Sequence, residues 1–172
     1  MNLERLQKIF LDYLRVEKGY SEHTLRNYLS DLEIFFEYLK DKNIDLSDIS
    51  NLERLEPVDI RGFLASRFKI IKASSNQRRL SAIKTLYKFL QKRGFITTNP
   101  AEIISSPKTE KSLPKAISVD EVISLIHSIN GDDVLDFRDR AMVELMYSSG
   151  LRVSELVSIN LSDIDLQNST LR

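Results

Sequence analysis

The chain has 172 residues, no cysteine, 42% apolar residues and a formal net charge of zero. Without cysteine it can form no disulfide, no thiolate nucleophile and no cysteine-ligated zinc or iron–sulfur centre, which favours a reducing, cytoplasmic setting. The first residues lack the apolar core of a signal peptide, and no apolar run approaches the roughly 18 residues that span a bilayer, so we expect no membrane association. Glycine and proline are scarce, which disfavours a turn-rich all-β fold.

Apolar residues recur at helical spacing through most of the chain, which predicts an all-α fold. A first helix runs from about Leu3 to a stop at Gly19. A second helix begins after the N-cap residue Ser21 and continues to the polar stretch 40–43. A turn-like stretch then leads to Pro57, which suits the first position of a third helix.

A fourth helix is predicted at about 76–93, with Ser74 and Ser75 as its cap and Gly94 as its end. The connector that follows it holds three of the four prolines of the chain and many serine, threonine and lysine residues. Such a composition suits an exposed segment. We therefore expect a helical domain at 1–104, a linker at 105–116 and a second domain at 117–172.

The second domain is predicted to be mainly helical. Ser118 and Glu121 have the spacing of a capping box at its first helix, and a later helix ends at Gly150. A short helix near Arg152 follows. The last residues predict a turn and the start of a β-strand that has no partner strand.

The neutral total charge hides a strong asymmetry along the chain. Residues 1–60 hold eight basic and thirteen acidic groups, and residues 116–172 hold four basic and ten acidic groups. Residues 61–115 hold thirteen basic groups against two acidic ones, Glu102 and Glu110. The middle of the chain therefore carries a net charge of +11 and is suited to a polyanionic partner.

The fourth helix is predicted to separate into an apolar face and a polar face. On a helical wheel the polar face gathers Gln77, Ser81, Lys84, Thr85, Lys88 and Lys92, with Arg78 at its flank. An ordinary solvated helix interleaves glutamate with lysine, but no carboxylate occurs from Arg61 to Ala101. Because these side chains can bond phosphates and base edges, the face predicts DNA binding, with a merely solvated face as the alternative.

The second helix offers a weaker polar surface. His23, Thr24, Asn27 and Ser30 lie away from its apolar stripe with Arg26 nearby, and of these Thr24, Arg26 and Asn27 are predicted to add DNA contacts. A plain solvated face explains these three residues equally well.

Several segments in order closely resemble the Xer-type tyrosine recombinases of the phage integrase family. They are "SEHTLRNYLSDLEIFFEYL", "RRLSAIKTLYKFL", "TTNPAEII", "PKTEKSLPKAIS" and "FRDRAMVELMYSSGLRVSEL", and the resemblance covers essentially the whole chain. It implies a four-helix, SAM-like core-binding domain, a linker and a catalytic domain that together clamp duplex DNA. It also implies a double-stranded recombination site and other recombinase protomers as partners, assembled as a tetramer on two sites, with no metal and no other cofactor.

The most specific element of the resemblance is "YSSGLRVSEL", which is similar to the box around the first catalytic arginine of the family. The resemblance implies that Arg152 is this arginine and that Glu155 supports it. A planar guanidinium suits the role because it offers paired donors to the oxygens of a scissile phosphate. Without the resemblance, a lone arginine is more often a capping or salt-bridging residue.

The later catalytic residues of the family have no counterpart here. After Glu155 the sequence has no tyrosine, histidine or lysine, and its only arginine is Arg172. We therefore expect a catalytic domain cut in its first hairpin and a chain that is catalytically silent.

Three hypotheses follow from these patterns. The first is the DNA-binding N-terminal portion of a Xer-like site-specific recombinase, and Arg152 in its box favours it. The second is a stand-alone DNA-binding regulator or decoy built from the same domain. The third is a helical interaction module whose basic helix meets an acidic protein.

Overall fold

The computed structural model describes residues 1–68, 70–106 and 116–171. Within these ranges it contains seven α-helices and one two-stranded sheet, which confirms the all-α prediction. The chain divides into two compact units, Met1–Lys111 and Ser112–Arg172, which are called the N-terminal and the C-terminal unit. Residues 107–115, most of the predicted linker, lie outside the described residues, and the linker at 105–116 remains a prediction.

The described residues of the N-terminal unit form four α-helices and two short helical turns. The α-helices are α1 at Leu3–Asp12, α2 at Glu22–Asp41, α3 at Pro57–Phe68 and α4 at Ala73–Lys92. A π-helical turn at Tyr13–Glu17 continues α1, and a 3₁₀ turn at Ile49–Leu52 lies in the stretch between α2 and α3. Both the predicted N-cap Ser21 and the predicted stop at Gly94, which has a positive φ, are present.

The core of the N-terminal unit is arranged around α4. Leu80, Ile83, Leu86 and Leu90 are buried on its inner side, as the helical period predicts. Phe89 joins α4 to the first helical segment, since its ring centroid lies 5.3 Å from that of Phe10 and 4.9 Å from that of Tyr13. The inner face of α4 is thereby fixed in the core, while Ser81 and Lys88 on its opposite face are exposed.

The predicted start of the fourth helix was wrong. The helix begins at Ala73, after Lys72, and neither Ser74 nor Ser75 caps it. Asn76 lies inside the helix, is buried, and donates from its side-chain amide to the carbonyl of Leu64 at 2.9 Å. This bond to α3 anchors the first turns of α4 by tertiary contact, which local capping rules do not predict.

In its described residues the C-terminal unit contains three α-helices, a 3₁₀ turn at Leu161–Asp163 and a small hairpin. The helices are α5 at Val119–Ser128, α6 at Val134–Ser149 and α7 at Val153–Leu156, and the strands are β1 at Ile164–Asp165 and β2 at Thr170–Leu171. The predicted capping box is present, since the Ser118 backbone N–H donates to the Glu121 carboxylate at 2.8 Å and the Glu121 N–H donates to the Ser118 hydroxyl at 3.3 Å.

The prediction that the final strand lacks a partner was wrong. Strands β1 and β2 pair antiparallel, with Ile164 opposite Leu171. The turn between them forms because the Asp165 carboxylate accepts from the backbone N–H groups of Gln167 and Asn168, each at 3.0 Å. An aspartate side chain that bonds the backbone in this way directs a tight turn, which brings the two short strands together as a local hairpin.

Helix α6 buries none of its residues within the described part of the C-terminal unit. Its apolar side chains Val134, Leu135, Phe137 and Tyr147 are exposed, whereas those of Met142, Val143, Leu145 and Met146 are half-buried. In the described ranges no helix combines the length and the apolar content that a bilayer crossing needs.

Candidate nucleic-acid interface

Helices α2 and α4 pack side by side in opposite directions. Asp31 of α2 accepts hydrogen bonds from Arg78 and Arg79 of α4. One turn earlier on α2, the hydroxyl of Tyr28 interacts with the side chain of Thr85. Residues 28 to 31 of α2 therefore run alongside residues 85 to 78 of α4. The two helices that the sequence singled out thus form one continuous surface in the N-terminal unit.

Two lysines, Lys84 and Lys88, occupy the middle of the polar face of α4. Lys88 is exposed, and Lys84 is half-buried with its ammonium 3.4 Å from the carbonyl oxygen of Glu102. Among residues 1–68, 70–106 and 116–171, neither lysine forms an ion pair. Two uncompensated positive charges one helical turn apart are suited to adjacent phosphates.

Two hydroxyl residues lie among these charges, Ser81 before Lys84 and Thr85 between Lys84 and Lys88. Ser81 donates to the backbone carbonyl of Gln77 at 3.1 Å, and Thr85 donates to that of Ser81 at 2.8 Å. With their hydrogens directed to the helix backbone, the oxygens keep lone pairs that can accept from base amino groups. The predicted contact residues of α4 therefore share one side of the helix, as the wheel indicates.

The remaining cations of α4 are compensated by carboxylates from elsewhere in the fold. Arg78, a predicted DNA contact, donates to Asp31 and keeps 40% of its side chain exposed. Lys92 donates to Glu17 at 2.8 Å, and Arg93 bonds the same carboxylate. The hydrogen bond from Lys92 lowers the pKa of Glu17. The uncompensated part of the face is therefore shorter than the sequence suggested.

The first turns of α2 hold the other predicted contact residues. Arg26 is exposed, whereas Thr24 and Asn27 are half-buried. The hydroxyls of Thr24 and Ser21 lie 3.0 Å apart at the start of the helix. Because α2 runs antiparallel to α4, the turn at Thr24 is expected beside the turn at Lys88, which extends the polar surface across both helices.

Sequence analysis did not identify two residues at the contact between α2 and α4, Tyr28 and Asp31. Tyr28 is half-buried, its ring lies edge-on to that of Tyr20 with 5.5 Å between the ring centroids, and its hydroxyl interacts with Thr85. Burial raises the pKa of its phenol. The helical spacing could have indicated that Asp31 is buried, since it lies three residues after Tyr28 and four before Phe35, on the buried side of α2.

In the C-terminal unit, Arg152 and Glu155 form a pair. The Glu155 carboxylate accepts from the backbone N–H and from the guanidinium of Arg152, each at 2.8 Å, and these bonds lower its pKa, the backbone bond most. The side chain of Arg152 is 82% exposed at the start of α7, just after Gly150 with its positive φ. Glu155 thus bonds Arg152, while the catalytic role of both residues stays a prediction.

Comparison with known proteins places the chain in a family. Residues 8–94 match the family model described as "Phage integrase, N-terminal SAM-like domain", and residues 115–172 match the one described as "Phage integrase family". The chain therefore belongs to the phage integrase family, as its resemblance predicted.

The curated relatives of the chain are Xer tyrosine recombinases. Tyrosine recombinase XerC of Thermodesulfovibrio yellowstonii is 39% identical over 166 residues, which are 95% of this chain and 52% of that protein. Tyrosine recombinase XerD of Haemophilus influenzae is 40% identical over 165 residues, which are 95% of this chain and 54% of that protein. The chain thus spans about half the length of the curated relatives that it matches.

Solved structures share the fold at low sequence identity. A lambda integrase dimer bound to a COC' core site aligns with a TM-score of 0.73 and 21% identity, over 96% of this chain and 43% of that one. A lambda integrase tetramer bound to a Holliday junction aligns with a TM-score of 0.74 and the same identity, over 96% of this chain and 46% of that one. These alignments confirm the predicted fold class.

Proposed function

We propose that this chain binds duplex DNA with the joint surface of α2 and α4. The observation that carries the proposal is the pair Lys84 and Lys88, two charges without a carboxylate partner in the described part of the chain, on the outward side of a helix slim enough to enter a major groove. Thr85 lies between them, and Thr24, Arg26 and Asn27 extend the surface onto α2. The lambda integrase of the same fold is bound to a core site in its solved structure, which supports this partner.

The DNA-binding surface belongs, in this proposal, to the N-terminal portion of a Xer-like site-specific recombinase that acts in DNA integration and recombination. Its DNA partner is a recombination site, and its protein partners are further recombinase protomers, as in the lambda integrase tetramer on a Holliday junction. Arg152, held by Glu155, would bind the scissile phosphate and stabilise the charge that develops on it. A stand-alone DNA-binding regulator would have no need of this pair.

Residues 1–172 are proposed to be silent in strand cleavage. The cleavage step needs a nucleophile that attacks the phosphorus and becomes joined to the DNA while a sugar hydroxyl leaves, and no tyrosine follows Glu155. Incubation with duplex DNA is expected to give no covalent complex on a denaturing gel. A covalent complex would overturn this proposal and direct attention to the six tyrosines that precede Arg152.

A titration of binding against salt concentration tests the DNA proposal directly. Lys84, Lys88, Arg26 and the half-exposed Arg78 offer about four phosphate contacts, so the slope of log K against log salt is expected near −3.6 on duplex DNA. A duplex of about 30 base pairs covers roughly three helical turns and serves as the probe. A flat slope would overturn the proposal and favour an acidic protein or a solvated surface.

A further inference from the structure

Asp31 is a buried carboxylate at the seam between α2 and α4. It is 1% exposed, and its Oδ1 atom accepts from Nη2 of Arg78 and from Nε of Arg79, each at 3.2 Å. The two arginines differ in environment, because 11% of the Arg79 side chain is exposed against 40% for Arg78. Asp31 therefore holds one cation that is largely covered and one that reaches the surface.

Asp31, Arg78 and Arg79 form a triad whose presence is not explained by a contribution to the stability of the fold. Three of its polar atoms, Oδ2 of Asp31 and Nη1 of each arginine, are buried without a hydrogen-bond partner among the described residues. Burial raises the pKa of Asp31, and the charge of Arg78 opposes that shift. A buried ion cluster with unpaired atoms typically contributes little net stability, because desolvation offsets the attraction between its charges.

The triad fixes the position of the Arg78 side chain and the contact between α2 and α4. It connects α2 to α4 close to the predicted contact residues of both helices, and it restricts the guanidinium of Arg78 to one side of its own helix. An arginine that is already held loses less conformational freedom when it binds a ligand. Restricting Arg78 therefore favours binding even where it adds nothing to the stability of the fold.

We propose that Asp31 is a positioning residue of the DNA interface, which acts by holding Arg78 in place for contact with a phosphate. The inference rests on the proposed DNA binding. It predicts a change in DNA affinity opposite to the usual one, because removing a negative charge near a polyanion ordinarily strengthens binding. If Asp31 positions Arg78, its neutralisation weakens binding.

The test compares Asp31→Asn with Glu33→Gln in the whole 172-residue chain, on the same duplex probe of about 30 base pairs. Both variants remove one carboxylate from α2, but Glu33 is exposed and has no ion pair among the described residues. Asp31→Asn is expected to weaken binding about fivefold or more, and Glu33→Gln to leave it unchanged or slightly tighter. Binding is measured where circular dichroism shows each variant folded. Binding by Asp31→Asn as tight as that by Glu33→Gln would overturn the inference.

A double-mutant cycle with Arg78→Gln separates positioning from a structural role. Arg78→Gln leaves Asp31 its bond to Arg79, so the fold is expected to survive, and the salt slope is expected to fall by about 0.9 for one lost contact. In that background Asp31→Asn should cause no further loss of affinity. An unchanged slope in Arg78→Gln, or an equal loss with and without Arg78, would overturn the inference even if Asp31→Asn alone fails to fold.

The outcome for wild type separates this inference from the function on which it rests. A flat salt slope for the unmodified chain removes the DNA proposal and the role of Asp31 together. A steep slope combined with tight binding by Asp31→Asn removes only the role of Asp31.

Discussion

Replacing Lys84 and Lys88 together by glutamate is expected to weaken binding to duplex DNA by about 60-fold or more. Each phosphate contact contributes about 0.9 of a decade in affinity at roughly 0.1 M salt through counterion release, so two lost contacts remove about 1.8 decades. The introduced carboxylates add repulsion to this loss. The salt slope is expected to fall from about −3.6 to about −1.8.

A matched control for this double variant is Lys8→Glu combined with Lys40→Glu. Both lysines are exposed in the same unit, and Lys40 lies at the end of α2 that is remote from Thr24. The control changes the net charge by the same amount, so it isolates the position of the charge from its sign. Equal losses in the two variants would mean that binding follows total charge and that α4 has no privileged role.

Replacing Phe89 by alanine is expected to lower the free energy of unfolding of the N-terminal unit by about 3–5 kcal/mol. Phe89 is fully buried, and its ring contacts those of Phe10 and Tyr13, so truncation opens a cavity between α4 and the first helical segment. Domains of this size have about 5–15 kcal/mol in total, so the variant loses a large share of its stability. DNA binding should then fail at temperatures that wild type tolerates.

Urea titration followed by near-ultraviolet dichroism of tyrosine measures this loss, because five of the six tyrosines lie in the N-terminal unit. Phe68→Ala removes the same atoms from a side chain that is 64% exposed in the same unit, and it is expected to change stability by about 0.5 kcal/mol or less. Similar midpoints for Phe89→Ala and Phe68→Ala would contradict the assignment of Phe89 to the centre of the core.

Local patterns predicted those parts of the fold that depend on neighbouring residues. The helical period of α4 identified its buried side, and the capping residues Ser21 and Ser118 marked the starts of α2 and α5 correctly. The start of α4 was missed because it depends on the bond from Asn76 to Leu64 of another helix. Pattern rules contain no information on such tertiary partners.

Charge patterns predicted the site only in part for the same reason. A count along the sequence left the bases of α4 without carboxylates, whereas the fold brings Asp31 and Glu17 to four of them. These partners lie 47 to 76 residues away in sequence. Lys84 and Lys88 lack a carboxylate partner, as the count predicted, because no acidic group reaches them within the described ranges.

Because Lys92 and Arg93 are bonded to Glu17, the length of DNA that α4 can contact is limited. From Gln77 to Lys88 the outward side of α4 rises through eleven residues, a length of about 17 Å at 1.5 Å per residue. One turn of B-form DNA is about 34 Å long. In the proposed mode of binding, α4 therefore subtends about half a turn, or about five base pairs, and a longer recognition sequence has to be completed by other parts of the protein or by a second protomer.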